Sequence, residues 1–234
     1  MDFNIYVPSY ARSDRILTLA RLDYCTYVVR KSEEAAYREA GVESMIAVED
    51  SEINSAAKVY NWIFRNAPED VFAIVDDDIE KFMYRLDDLK DIADPAQVTM
   101  EIERLAQMLV DLGLGYLACP LDSNVKYYDR PFKFVGLTGA LKIYNRLKFK
   151  ARDEGKLLFL ADVNVEMQEL LHNRVILIPN YFCLKAALDK NAGGTNGTKT
   201  LSMYDAENEI MKNKWGKYYV KANGNKAGRI NVKR

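Results

Sequence analysis

The chain has 234 residues, nearly half of them hydrophobic, and its 33 Lys+Arg against 34 Asp+Glu leave a formal net charge of −1. That length and balance fit an ordinary soluble globular protein, most simply one large domain with a substantial core. No apolar run approaches a membrane span, and the opening "MDFNIYVPSYARSDR" lacks the basic-then-apolar layout of a signal peptide. Cys25, Cys119 and Cys183 are odd in number and far apart. They fit neither a disulfide framework nor a zinc spacing, so they read as packing residues of a cytoplasmic protein.

Strands and helices are expected to alternate. "FNIYV" (Phe3–Val7) reads as a strand, the loop "PSYARSD" follows, and "RILTLARL" reads as a helix. "TYVV" (Thr26–Val29) is a second strand, "SEEAAYREAG" a helix with Gly41 at its stop, and "MIAV" (Met45–Val48) a third strand. "SEINSAAKVYNWIFRNAP" is a strong helix with Ile53, Ala56, Ala57, Tyr60 and Phe64 on one face. "VFAIV" (Val71–Val75) is apolar throughout, as a strand covered on both faces should be. The alternation predicts an α/β fold with an open, mostly parallel sheet.

"FAIVDDDIEKF" (Phe72–Phe82) then poses a question, because three adjacent carboxylates follow a buried strand. Ligands of open α/β sheets gather outside the carboxyl ends of strands. Asp76 and Asp78 should point one way and Asp77 the other, and carboxylates so placed can hold Mg²⁺ or Mn²⁺ together with water and phosphate oxygens. The alternative is a helix N-terminus, with an Asp as cap and Glu80 in the first turn.

"IYVPSYARSDR", "INSAAKVYNWIF", "FAIVDDDIEKF" and "FLADVNVEMQELL" occur in the order found in GT-A glycosyltransferases. More narrowly, the chain resembles, from Ile5 to about Trp215, the phage-type TET-associated glycosyltransferases, which sugar-modify hydroxymethylated pyrimidines in DNA. The resemblance implies a mixed, mostly parallel GT-A-like sheet flanked by helices over residues 1–211. It implies a UDP-sugar donor and Mn²⁺ or Mg²⁺. Pro8, Ser9, Tyr10 and Arg12 would line the nucleotide, with Tyr10 stacking and Arg12 at the diphosphate. Lys58 and Asn61 would add a second, less conforming contact from their helix. Asp76 and Asp78 match the DxD metal motif, with Asp76 also reaching the ribose or sugar and Asp77 beside them at the donor. Gly139, with Gly136, would lie on a strand facing the sugar, where glycine admits close backbone approach. Asp162 takes the place of the general base that deprotonates the acceptor hydroxyl. Ala161 departs from the family's acidic pair, and the alternative for Asp162 is a plain helix cap. His172, the single histidine, falls at a helix end rather than in the tail where a metal ligand is often found, and Asp205 is the possible substitute.

Residues 212–234 carry eight Lys or Arg and no acid. Lys212, Lys214, Trp215, Lys217 and Arg229 form the candidate DNA contact, since cations hold phosphates and aromatics stack on an exposed base. "NVKYYDRPFK" offers a similar mix. A folded terminal strand with Trp215 and Tyr218 facing the core explains the same residues. "NAGGTNGTKT" reads as a lid over the donor or as a surface linker. The functional expectation is a sugar transferase acting on DNA. A saccharide- or protein-directed transferase, or a noncatalytic DNA-binding domain on a degenerate scaffold, are the other readings. A haloacid-dehalogenase-type phosphatase would want its DxD nearer the N-terminus.

Overall fold

The computed structural model describes residues 2–121, 126, 128–136, 139–152, 157, 159–187, 200–221 and 228–233. The first half builds β1 (Phe3–Pro8), β2 (Thr26–Arg30), α1 (Glu34–Glu39), β3 (Met45–Val48), α2 (Ala56–Asn66) and β4 (Val71–Val75). The chain then turns through the aspartates into β5 (Ile79–Arg85) and β6 (Leu89–Asp91), followed by α3 (Pro95–Asp111), β7 (Tyr116–Ala118) and β8 (Phe132–Lys133). The remainder is β9 (Leu141–Asn145), α4 (Ala161–His172), β10 (Ile178–Pro179), β11 (Phe182–Ala186), α5 (Leu201–Trp215), β12 (Tyr219–Val220) and β13 (Arg229–Ile230).

The main sheet has the order β3-β2-β1-β4-β9-β7. β1, β2, β3 and β4 pair in parallel, while β9 runs antiparallel to both β4 and β7. It is therefore the mixed, mostly parallel sheet expected, with β9 alone reversed. β4 is central, and its alternate residues feed two cores. Val71, Ala73 and Val75 pack with Ile5, Val7, Ile102, Leu105 and Leu141 on one face. Phe72 and Ile74 pack with Tyr6, Val28, Ile63 and Tyr144 on the other. A strand with both faces covered has to be apolar at every position, which is why "VFAIV" carries no alternation.

Strand order reverses at β1: β2 lies on one side and β4 on the other. The connections diverge there, and a crevice opens at the carboxyl ends of these two strands. The chain makes its sharpest departure at the same place, leaving β4 after Val75 and entering the three-stranded antiparallel sheet β11-β5-β6 within three residues. The buried side chain of Thr18 fastens that turn. Its hydroxyl donates to the Asp76 carbonyl at 2.7 Å and accepts from the Ile79 N–H at 3.0 Å, and its own N–H reaches the Asp77 carbonyl at 3.3 Å. Asp76 N–H donates to Ala140 O, and the Asp78 carbonyl accepts from Ala187 N–H. Thr18 opens a short 3₁₀ turn, Thr18–Arg21, where the sequence predicts a full helix. Its hydrogen bonds to the aspartate turn outweigh the local helical pattern.

In the C-terminal segment, residues 212–221 and 228–233 are described. Residues 212–215 complete α5, Trp215 packs beside the cluster that includes Leu160, Val163 and Tyr219, and β12 pairs with β13. Apart from Thr200, the loop read as a lid or linker lies outside the described residues, as do parts of "NVKYYDRPFK".

Thr18→Val keeps shape and burial but strands two buried backbone groups at the aspartate turn. It should cost about 2–3 kcal/mol in urea unfolding. A loss below about 0.5 kcal/mol, the size of an ordinary surface change, would show that the turn does not depend on this hydroxyl.

Candidate active site

A cavity of about 990 Å³ opens at the carboxyl ends of β1 and β4. That is ample for a nucleotide-sized ligand. Pro8, Ser9, Tyr10, Arg12, Asn61, Asp76, Asp77, Asp78 and Asp162 all line it, although they come from four separate stretches of sequence. Lys58 and Gly139 are not among the lining residues. Lys58 is exposed, since the face of α2 turned to the cavity carries Ala56, Ala57, Tyr60, Asn61 and Phe64. The close approach at Gly139 is to protein: a Cβ there would stand 2.6 Å from Leu121 Cγ and 2.8 Å from Cys119 O.

The three carboxylates have different partners. Strand parity carries Asp76 to the α2 face, where its Oδ1 accepts from the Tyr60 hydroxyl at 2.7 Å. Burial, and then the charge of Asp76, raise Tyr60 well above an ordinary phenol, so it remains a donor. Asp77 turns to the opposite face. It accepts from Ser9 Oγ and from Arg12 Nη1, each at 2.5 Å, and the Tyr37 hydroxyl lies 2.6 Å from the same serine. Arg12 is only 9% exposed, so its charge serves Asp77 inside the protein. The positive partner expected to be a metal ion is, for Asp77, an arginine of the chain itself.

Asp78 is the carboxylate left short of compensation. It is 7% exposed and 3.5 Å from Arg12 Nη1, beyond hydrogen-bond contact. Burial first, then the charges of Asp76 and Asp77, push it up to about 6 against the opposing pull of Arg12. Among the described residues no cluster of three acids, histidines or cysteines forms a ready-made metal cage. Asp76 and Asp78 together nevertheless suit a hard divalent ion, which takes one or two carboxylates and completes its shell with water and phosphate oxygens. The incompletely compensated charge at Asp78, which shares Arg12 with Asp77, is the physical reason a cation would be stabilised there.

Sequence reasoning missed Lys142. On β9 it is the register partner of Ile74, and Tyr144 is the partner of Phe72, which places both on the face that carries Asp76. Lys142 Nζ stands 4.8 Å from the centroid of the Tyr60 ring. Burial works against its charge, but Tyr144, Asp162, Asp76 and Glu166 together raise the ammonium above its ordinary value. A single lysine inside the apolar run "ALKIY" was the available signal. Such a residue sits mid-sheet only where something anionic receives it.

Asp162 is the second residue of α4, and the cap position belongs to Leu160, whose side chain caps nothing. Its Oδ1 accepts from Val163 N–H at 2.7 Å, leaving the other carboxylate oxygen to the cavity it lines. The rim beside it is built by α5. Phe159, also a lining residue, stacks on Tyr204 at 4.8 Å, and Glu207 accepts from the N–H groups of Phe159 and Leu160. His172 is exposed at the end of α4, and Asp205 lies 3.9 Å from Lys221 on α5, so neither joins Asp76 and Asp78.

The basic segment divides in two. Trp215 is half-buried and donates to Asn164 Oδ1 at 3.1 Å, Tyr219 is core, and Lys212 Nζ binds the carbonyls of Gly216 and Tyr219 at the end of α5. Lys214, Lys217, Tyr218 and Arg229 are exposed.

Because the folded-state value of Asp78 lies above its unfolded one, its favourable contribution is complete below about pH 4 and is lost as pH rises through about 6. Asp78→Asn should therefore stabilise the metal-free protein at pH 7.5 by roughly 1–3 kcal/mol, read as a rise of a few degrees in Tm in EDTA. The gain should vanish at pH 4. A variant that melts lower than wild type at pH 7.5 would contradict this account of the site.

No protein-family profile matches the chain, and no curated protein matches it by sequence. Solved structures do. A mannosyltransferase, PcManGT from Pyrobaculum calidifontis, in complex with GDP-Man and Mn²⁺, superposes with a TM-score of 0.54 at 16% identity, covering 81% of this chain and 58% of that one. A mycobacterial protein superposes with a TM-score of 0.53 at 11% identity, covering 90% of this chain and 73% of that one. This chain thus spans under two thirds of the mannosyltransferase's length. Identities this low speak to architecture, and the architecture is the GT-A glycosyltransferase fold.

Proposed function

We propose that the protein is a metal-dependent glycosyltransferase that takes a sugar from a nucleoside-diphosphate sugar and passes it to a hydroxymethyl group of a modified pyrimidine in DNA. One observation carries the enzymatic part: Asp76 and Asp78 from the turn after β4, Lys142 from β9 and Asp162 from α4 all line a single cavity. The fold, shared with a mannosyltransferase bound to GDP-Man and Mn²⁺, supports a nucleotide-sugar donor and a divalent ion. Asp76 and Asp78 would hold that ion, which when bound offsets the charge of the departing diphosphate.

The chain's own residues account for the rest of the transfer. Asp162 takes the proton of the acceptor hydroxyl as its oxygen bonds to the anomeric carbon. The bond from that carbon to the diphosphate oxygen breaks, and the nucleoside diphosphate leaves. Lys142, whose ammonium is raised in part by the charge of Asp162, lines the same cavity. Lys142 also supplies a fixed positive charge on the face where negative charge accumulates.

The DNA acceptor is supported by the family resemblance and by the exposed set Lys214, Lys217, Tyr218 and Arg229. That set is tied to the catalytic helix through the hydrogen bond from Trp215 to Asn164, two residues from Asp162. The resemblance also implies uridine as the donor's base.

Transfer of labelled sugar to a duplex carrying 5-hydroxymethylcytosine, compared with the unmodified duplex, is the direct test. Asp162→Asn should bind donor as wild type does and slow transfer by about 10²–10⁴-fold. Lys142→Met should lower transfer and, because the surrounding anionic groups favour the lysine's charge, should lower the melting temperature as well. Transfer to free saccharides but to neither duplex would replace the DNA acceptor. Undiminished transfer by Asp162→Asn would remove it as the base.

A further inference from the structure

A nucleotide-sugar enzyme must recognise a base, and among the described residues two cavity-lining arginines, Arg12 and Arg30, keep a buried Nε without a hydrogen-bond partner, of which Arg12 is otherwise committed to Asp77. Arg30 ends β2 and lines the cavity next to Pro8, Ser9 and Tyr10. Its guanidinium carbon lies 3.9 Å from the centroid of the Tyr10 ring, and Tyr10 itself is 42% exposed. The loop is shaped to keep these two side chains at the cavity. Ala11 adopts a left-handed backbone (φ 53), held by its N–H donating to Glu33 Oε1 at 3.0 Å. That reversal sends Arg12 inward to Asp77 and leaves Tyr10 outside with Arg30.

Arg30 has neighbouring charge. Its Nε is buried without a hydrogen-bond partner, and among the described residues no side-chain acceptor reaches its guanidinium. Two carboxylates feel its charge: Glu33, whose Oε1 accepts from Ala11 N–H while its Oε2 is buried without a hydrogen-bond partner, and Asp50, which accepts from the N–H and hydroxyl of Ser32. A guanidinium only donates, through a planar fork that suits two acceptors side by side.

We propose that Arg30 reads the base of the donor, and that this base presents two adjacent acceptors. Guanine does so through O6 and N7, and cytosine through O2 and N3. Uracil sets an N3–H donor between its two carbonyls, and adenine sets an amino donor beside N7. Either would place a donor against a donor. Tyr10 supplies an aromatic surface on which the base can stack. The inference rests on the nucleotide-sugar reading and replaces uridine with a base of this class.

Calorimetric titration of the full chain with GDP, CDP, UDP and ADP in the presence of Mn²⁺ tests it. GDP or CDP should bind at least about tenfold more tightly than UDP and ADP, and the stronger of the two identifies the base. Arg30→Met should erase the preference and bring the four nucleotides within about threefold of one another, and Arg30→Lys, lacking the fork, should not restore it. UDP binding as tightly as GDP and CDP, or more tightly, would overturn this inference and leave the glycosyltransferase reading standing. An Arg30→Met variant that weakens all four equally would overturn it too, by assigning Arg30 to the phosphates. Binding of none of the four would overturn both readings. The wild-type comparison decides the base preference even if a variant fails to fold.

Discussion

Three like charges at the end of a central buried strand set the terms for the rest of this molecule. Charges confined there repel one another and lose hydration, so each must find compensation or shift its protonation. The protein answers with three separate arrangements. Asp77 accepts from Arg12 across 65 residues of sequence and from Ser9, although burial still raises its carboxyl above the ordinary range. Asp76 receives the Tyr60 hydroxyl and shares its sheet face with Lys142. Asp78 is left with an incomplete partner and is raised to about 6. The remaining imbalance is a binding opportunity for a cation, and it sits where the strand order opens a crevice.

The apolar framework and the polar site are continuous with each other. The alternation that sends Phe72 and Ile74 to one core and Ala73 and Val75 to the other also sends Asp76 and Asp77 to opposite faces. Asp78, the last residue before β5, stands 3.5 Å from Arg12, the partner of Asp77. Thr18 holds the aspartate turn through backbone bonds to Asp76, Asp77 and Ile79, so a residue outside the cavity lining fixes the geometry of three that are in it. Cores of this kind transmit small displacements, because close-packed side chains have little free volume to absorb them.

Much of the architecture was legible because hydrophobic burial writes itself into local sequence. "FNIYV", "TYVV", "MIAV" and "VFAIV" coincide with β1 to β4 to within a residue or so, and the triple aspartate marked the carboxyl end of β4. What could not be read depends on contacts between distant segments. "RILTLARL" has helical character, but Thr18 is recruited to the aspartate turn and only a 3₁₀ turn forms. The Arg12–Asp77 pair exists because β1 and β4 are neighbours, which no local pattern records. Lys142 enters the site only through the antiparallel register of β9 on β4. In α2 the apolar face was read correctly as a face, yet Tyr60 and Phe64 line the cavity while Ile63 is the buried residue of the helix. Gly139 shows the converse limit, since a glycine needed for close approach does not declare whether ligand or protein does the approaching.

The central claim is that Asp76 and Asp78 hold a divalent ion brought to the cavity with a nucleoside diphosphate. Electron paramagnetic resonance of free Mn²⁺, recorded as protein is added in the presence of GDP and separately of UDP, addresses it most directly. Wild-type protein with the nucleotide it binds should remove the free Mn²⁺ signal at roughly one ion per chain, and folded Asp78→Asn should leave it largely intact. Equal retention of Mn²⁺ by the two proteins, or no retention by either, would contradict the account.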